Sequence, residues 1–308
     1  MILHTGMRTD IPAFYTPWFV NRLRAGEVCV RNPYNEQQVT RYRLDPSVVD
    51  LIAFCTKNPA PMLPYMNLLA LFGQFWYVTI TPYGRDIEPN VPPWQEVART
   101  FRRLSEIVGT HAIGWRYDPI IIDERHTVDW HRQQFAVMAE MLAGATQMVV
   151  ISFLMRYAKT RRNFPEGRDV AYAERIELGA AIIETAKAHD MTVYPCGGGA
   201  ELAACGADTG GCMTPRIYER ALGRRICFPK YQRQRKECDC YLGADIGAYD
   251  SCPHLCRYCY ANTNCARVAK NRRRHDPASP FLIGHAEEGD RVHNAVQESW
   301  LEVQECLF

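Results

Sequence analysis

Through its first 195 residues the chain alternates short β-branched or aromatic runs with helix-length amphipathic segments, and this alternation restricts the fold more than any other feature. Strands are expected at 2–5, 27–31, 51–56, 75–81, 112–116, 148–153 and 192–194, with helices at 18–24, 62–72, 94–108, 128–143 and 170–189. Repeated βα units at this spacing build a parallel sheet covered by helices. Seven such strands predict an α/β fold, a (β/α) barrel lacking one unit. An open doubly wound sheet is the competitor, but it would prefer a glycine-rich first turn, which Gly6-Met7-Arg8 does not supply.

Polar groups recur where these strands should end: Arg8, Thr9 and Asp10; Arg31 and Asn32; Lys57 and Asn58; Tyr83, Arg85 and Asp86; Arg116, Tyr117 and Asp118; Ser152; and Cys196. In a (β/α) barrel that rim is where substrates bind. Several of these groups are basic and would complement an anionic or carboxylate-bearing ligand. His126 and His131, five residues apart around a helix start, read as capping or surface residues rather than ligands.

Composition matters most beyond residue 195. Ten of the 13 cysteines fall between 196 and 265. No run approaches the roughly 20 apolar residues of a spanning helix, and Arg8 and Asp10 interrupt any secretory segment, so a cytoplasmic location is expected. A reducing compartment does not keep structural disulfides, which turns attention to metal or redox chemistry. Residues 216–274 carry 14 Lys and Arg against 5 Asp and Glu, a local +9 in a chain of net +2, and the tail from Pro277 is acidic. Three stretches follow: barrel units at 1–195, a Cys-rich segment completing the barrel at 196–275, and an acidic tail at 276–308 packed on it.

The strongest motif runs Ser251-Cys252-Pro253-His254-Leu255-Cys256-Arg257-Tyr258-Cys259-Tyr260-Ala261-Asn262, a C-x3-C-x2-C spacing with an aromatic residue before the third cysteine. Three thiolates can hold three irons of a [4Fe-4S] cubane and leave the fourth iron open. The bland alternative is structural zinc, in which the Cys256/Cys259 knuckle joins Cys238 and Cys240; this leaves Cys252 over.

The spacing resembles that of the radical SAM superfamily. The resemblance implies a complete or partial barrel, S-adenosyl-L-methionine chelated to the open iron, reductive cleavage of that molecule, and an electron donor such as flavodoxin or ferredoxin. The motif comes late in this chain rather than after the first strand. If 243–248 is a strand leading into the cluster loop, the barrel is circularly permuted. Arg8-Thr9-Asp10-Ile11-Pro12, Thr56-Lys57-Asn58-Pro59, Arg116-Tyr117-Asp118-Pro119 and the cysteine motif together resemble a bacterial family catalogued as a domain of unknown function and described as radical-SAM-like.

The superfamily's Gly-Gly-Glu is missing on the strand that would follow. Asp10 then stands in to accept from the methionine amino group, Arg8 or Arg116 pairs the carboxylate, and Tyr258 joins them as a cofactor-binding residue. Lys57, Asn58 and Asp118 are left for a small anionic or amino-acid-like substrate. Cys196, Cys212, Cys238 and Cys240 form a candidate second site for zinc or another iron–sulfur cluster, against the alternative of buried thiols. Cys29, Cys55 and Cys306 read as core or surface thiols. A nucleic-acid-binding protein stabilised by zinc or an iron–sulfur cluster, with the basic segment on phosphates, is the reading from another class. A zinc hydrolase is disfavoured, because the rim offers no paired-histidine ligand set. No membrane association is expected.

Overall fold

The structure is a computed structural model and describes residues 1–229, 240–241 and 243–302. In chain order the elements are β1 (Ile2–His4), α1 (Ile11–Phe14), α2 (Thr16–Ala25), β2 (Glu27–Asn32), β3 (Asn35–Arg43), β4 (Leu51–Thr56), α3 (Met66–Leu69), β5 (Gly73–Thr79), α4 (Trp94–Val108), β6 (Ile113–Ile120), α5 (Val128–Leu142), β7 (Met148–Phe153), α6 (Ala158–Asn163), α7 (Tyr172–Ala188), β8 (Thr192–Pro195), α8 (Pro215–Leu222), β9 (Ala244–Asp245), α9 (Cys265–Arg273) and β10 (Arg291–Asn294).

Seven strands form one parallel sheet in the order β8-β7-β6-β5-β4-β1-β9. Its strands are buried on both faces, which is why they read as nearly continuous apolar runs rather than alternating ones. On one face Ile52, Phe54, Trp76, Trp115 and Ile151 pack against the helices. Phe54 stacks on Trp76 at 3.8 Å between ring centroids, and Trp115 on Phe135 of α5 at 4.7 Å. On the other face Ile2, Leu51, Phe75, Met148 and Tyr194 meet Ile217 and Tyr218 of α8. The fold is therefore α/β, with helices on both faces of a parallel sheet.

The helices follow their apolar spacing. In α4, Val97, Ala98, Phe101, Leu104 and Ser105 are buried on one stripe, and Gly109 ends the helix. In α5 the Thr127 hydroxyl caps the first turn by accepting from the Trp130 N–H. His131 lies on the apolar stripe of α5 and is fully buried, and His126 is buried beside Asp123, to whose carboxylate its Nδ1 donates at 2.9 Å. The surface or capping reading of both histidines is thus corrected: a single imidazole inside a helical period does not reveal that hydrogen-bond partners wait in the core.

The expected strand at 27–31 exists but belongs elsewhere. β2 pairs antiparallel with β3, and β10 adds parallel to β3's other edge, giving a separate three-stranded sheet. Arg31 and Asn32 accordingly leave the rim. Arg31 forms a buried-side ion pair with Asp290 of the tail at 2.5 Å. The strand at the far edge is β9, two residues long, placed beside β1 with Leu3 opposite Ala244 and His4 opposite Asp245. Gly243 makes this approach possible, since a Cβ there would stand 2.2 Å from the Ile2 carbonyl oxygen.

Candidate metal centre

A cavity of about 310 Å³ opens where the strands of the large sheet end. Parallel strands send all their C-terminal ends to one side. The wall accordingly takes Arg8 and Asp10 from the loop after β1, Cys55 and Lys57 from β4 and its exit, Arg116 and Asp118 from β6, Ser152 from β7, and Cys196 just past β8. The loop after β9 closes the remaining side with Cys252, Cys256, Tyr258 and Cys259. Residues more than 130 positions apart in the chain thus meet in one cavity. Asn58 is not part of its wall; its side chain accepts from the Ala60 N–H at the start of a 3-10 turn.

The cysteine loop is wound by local hydrogen bonds. Asp250 and Leu255 both adopt left-handed backbone (φ 55° and 57°), conformations that cost a non-glycine residue roughly 1–2 kcal/mol. Offsetting that cost, the Asp250 carboxylate accepts from the Thr263 N–H and hydroxyl, and the Asn262 amide donates to the Cys252 carbonyl at 2.9 Å. From outside, α6 grips the loop: Lys159 donates to the Ala261 carbonyl and Thr160 to the Tyr258 carbonyl, at 3.3 and 3.1 Å.

Asp10 has a different task from the one its position suggested. Its Oδ1 accepts from the Ala13 N–H and the Thr56 hydroxyl, its Oδ2 from the Lys57 N–H and His254 Nε2, at 2.7 to 3.0 Å. Four donors saturate the carboxylate, so Asp10 ties β1's exit, β4's exit and the cysteine loop together rather than standing ready for a ligand amine. His254, inside the motif and fully buried, also donates through Nδ1 to the Asn90 carbonyl. Both ring nitrogens of His254 thus face acceptor oxygens, which fixes the ring between the Asn90 carbonyl and Asp10.

The basic rim is also less bare than its sequence. Lys57 Nζ pairs with Glu88 at 2.8 Å and donates to the Thr81 hydroxyl at 3.1 Å; the Tyr258 hydroxyl donates to the same Glu88 carboxylate. Burial alone would pull the Lys57 pKa down, but Glu88, with Cys256 beyond it, raises it. Arg116 pairs with Asp118, and its charge is held well above the ordinary range by Asp118 and the thiols of Cys196, Cys212 and Cys55 despite its burial. Arg8 faces Asp245 at 3.7 Å, and burial pushes the Asp245 carboxyl up to about 6. Glu88 and His254 were not legible as site residues, because a carboxylate between Ile87 and Pro89's neighbours shows no spacing signal and a motif histidine has no fixed role.

The thiol donors fit a soft metal or cluster. Burial pushes the pKa values of Cys252, Cys256 and Cys259 up, while Lys57 acts on Cys256 and Cys259, and Lys159 on Cys259, in the opposite direction. The Ala261 N–H donates to Cys259 Sγ at 3.3 Å, an outer-shell contact of the kind that orients thiolate ligands. Cys196, Cys212 and Cys240 line the same cavity, and Cys212 Sγ lies 3.4 Å from Cys240 Sγ. The neighbouring Cys212 thiol, helped by Arg116, brings the pKa of Cys196 down to about 7 despite its burial. Cys55, read from sequence as a core or surface thiol, also lines the cavity, its pKa pushed up to about 12 by burial. Cys238 and Cys306 lie outside the described residues. Among the described residues no three His, Cys, Asp or Glu side chains converge tightly enough to bind one ion as they stand. Thiolates on separate irons of a cubane are spaced more widely than ligands of a single ion, so this does not bear against the cluster arrangement.

At the basic run of α9 and its exit, the Arg272 guanidinium lies over the Tyr15 ring at 4.9 Å and Arg274 pairs with Glu287. Two of the three arginines of that run are therefore engaged within the chain. No helix among the described residues is long and apolar enough to cross a membrane.

No curated protein and no solved structure matches the chain. One family model does, Domain of unknown function (DUF1848), over residues 2–261, a span that takes in every strand of the large sheet and the whole cysteine loop. The chain belongs to the DUF1848 family.

Proposed function

We propose that this protein is a radical S-adenosylmethionine enzyme whose [4Fe-4S] cluster hangs on Cys252, Cys256 and Cys259, in a circularly permuted partial (β/α) barrel. The observation that carries the reading is the meeting of those three thiols with Arg8, Lys57, Arg116 and Asp118 in one cavity at the C-terminal ends of parallel strands. Strand order supports the permutation: starting from β9, the sheet runs β1, β4, β5, β6, β7, β8 without reversal. A doubly wound sheet reverses at its switch point.

When bound at Cys252, Cys256 and Cys259, the cluster would supply one electron and an open iron site for the reductive cleavage of S-adenosylmethionine. The chain's own residues bind and screen. Arg8 and Arg116, each paired with an aspartate on one side, line the cavity and would pair a ligand carboxylate. Tyr258 and Lys57, locked on Glu88, hold the wall beside Cys256 in place. The apolar lining of Met155, Met213 and Leu154 limits water in a site where a radical must not meet competing donors. The substrate would be small and anionic or amino-acid-like. The electron would come from a donor of the flavodoxin or ferredoxin type, in a reducing compartment.

Anaerobic purification with iron and sulfide analysis tests this. Reduced, reconstituted protein should carry iron and sulfide, show a low-temperature paramagnetic signal, and consume S-adenosylmethionine slowly to 5′-deoxyadenosine or methylthioadenosine. Changing Cys252, Cys256 and Cys259 to Ala should abolish the signal and the turnover. Iron-free protein after anaerobic isolation, without turnover after reconstitution, would overturn the reading.

A further inference from the structure

The same cavity holds a second set of sulfurs that lie outside the cluster loop. Cys196 follows β8, Cys212 lies in the loop before α8, and Cys240 precedes β9. All three line the cavity, the Cys196 and Cys212 thiols interact electrostatically, and Cys212 Sγ stands 3.4 Å from Cys240 Sγ. Sulfurs bound to one tetrahedral ion at about 2.3 Å stand about 3.8 Å apart, so this contact is only a few tenths of an ångström short of that spacing.

Two independent observations point to a ligand here. His4 is completely buried on β1, with both ring nitrogens lacking partners among the described residues, and it faces Cys240 electrostatically. The Tyr218 hydroxyl of α8 is also buried and without a partner among the described residues, near Cys55, Cys240 and Cys212. Unpaired buried polar groups cost about 1–3 kcal/mol each and seldom persist without something to satisfy them. The surroundings also suit a thiolate-bound cation. The Met213 N–H donates to Cys240 Sγ at 3.3 Å, and Arg116 Nη1 lies 3.8 Å from Cys212 Sγ.

We propose that Cys196, Cys212 and Cys240 bind a single thiophilic divalent ion of the zinc type, separate from the centre on Cys252, Cys256 and Cys259. The three thiols do not converge on one point as they stand, so binding an ion requires the Cys196 and Cys240 side chains to turn toward Cys212. On binding, the three thiols release three protons to solvent and the complex carries one net negative charge, which the Arg116 guanidinium balances. The short contact between sulfurs favours one ion over a cluster, whose thiolates sit on separate irons. The site joins β8, α8's leading loop and the approach to β9, so it would pin the last strand to the sheet.

The test uses the full chain with Cys252, Cys256 and Cys259 all changed to Ala, so that the proposed cluster is gone whether or not the radical reading holds. After chelation and anaerobic titration with cobalt(II), this variant should bind one equivalent, with thiolate-to-cobalt charge-transfer absorption of three sulfurs, and zinc should displace it. Adding Cys212→Ser should remove most of that absorption. Because such a variant can fail to fold, a second measurement uses the unaltered protein: alkylation mapped by mass spectrometry should find Cys196, Cys212 and Cys240 protected by zinc and released together by chelator. Absence of cobalt binding, absorption unchanged by Cys212→Ser in a folded variant, iron and sulfide at these thiols instead of one ion, or alkylation indifferent to chelator would each overturn the proposal.

Discussion

Two residues show how much a single side chain decides. His131 accepts from the Tyr117 hydroxyl at Nδ1 (2.6 Å) and donates from Nε2 to the Ile121 carbonyl (2.7 Å), so its neutral tautomer is the one the core accommodates. Burial lowers its pKa to about 4 from the ordinary 6.5. Above pH 6.5 both folded and unfolded forms are neutral and the stability is fully present; as pH falls towards 4 the unfolded chain takes the proton first and stability is lost, by about 3 kcal/mol in all. Urea denaturation at pH 7 and pH 4.5 should show that loss, and His131→Gln should shrink it. Asp10 is the second case. Changing it to Ala strands the Thr56 hydroxyl, two backbone N–H groups and His254, and should cost about 3 kcal/mol or more of unfolding free energy with weaker iron retention. The sequence marked Asp10 as a site residue through its place after a strand, which was legible. Its saturation by four donors was not, because three of them arrive from residues 56, 57 and 254.

At the scale of elements, legibility followed length and period. Helices α4, α5 and α7 were expected within two residues of their bounds, and six strands of the large sheet were found from their apolar runs. β2 was found as a strand but given to the wrong sheet, since its partner β3 reads Asn35-Glu36-Gln37-Gln38 and carries too little apolar character to announce itself. α6, which holds the cysteine loop through Lys159 and Thr160, is one turn and a half with no apolar stripe, and nothing in its composition foretold that grip. β9 was expected as a strand of six residues and is two residues long. Its seat depends on Gly243, so Gly243→Ala should push β9 off β1. The expected result is a protein with nearly unchanged far-ultraviolet circular dichroism and several-fold less iron after reconstitution. Full iron in that variant would show that the cysteine loop is held without its strand.

For the whole molecule, the alternation of strands and helices disclosed the α/β class and the common side on which the rim residues meet, because parallel strands leave no other choice. What stayed hidden is the internal pairing of that rim. Glu88 ties Lys57 after β4 to Tyr258 in the cysteine loop, across 170 residues of chain. Glu88→Ala would leave the buried Lys57 charge unpaired and should cost about 3–5 kcal/mol, read as a lower urea midpoint, whereas Lys57→Met together with Glu88→Gln should recover part of it. The placement of β9 beside β1 has a further consequence for how the protein is made. β9 is made about 240 residues after β1, so at about 5–20 residues per second the outer edge of β1 waits on the order of tens of seconds for this partner. By the end of that interval a nascent chain holds six strands of its sheet but not yet the cysteine loop. The proposed cluster could form only after that loop has been made, and the exposed edge strand of the waiting chain is the point at which pairing with a neighbouring nascent chain has to be prevented.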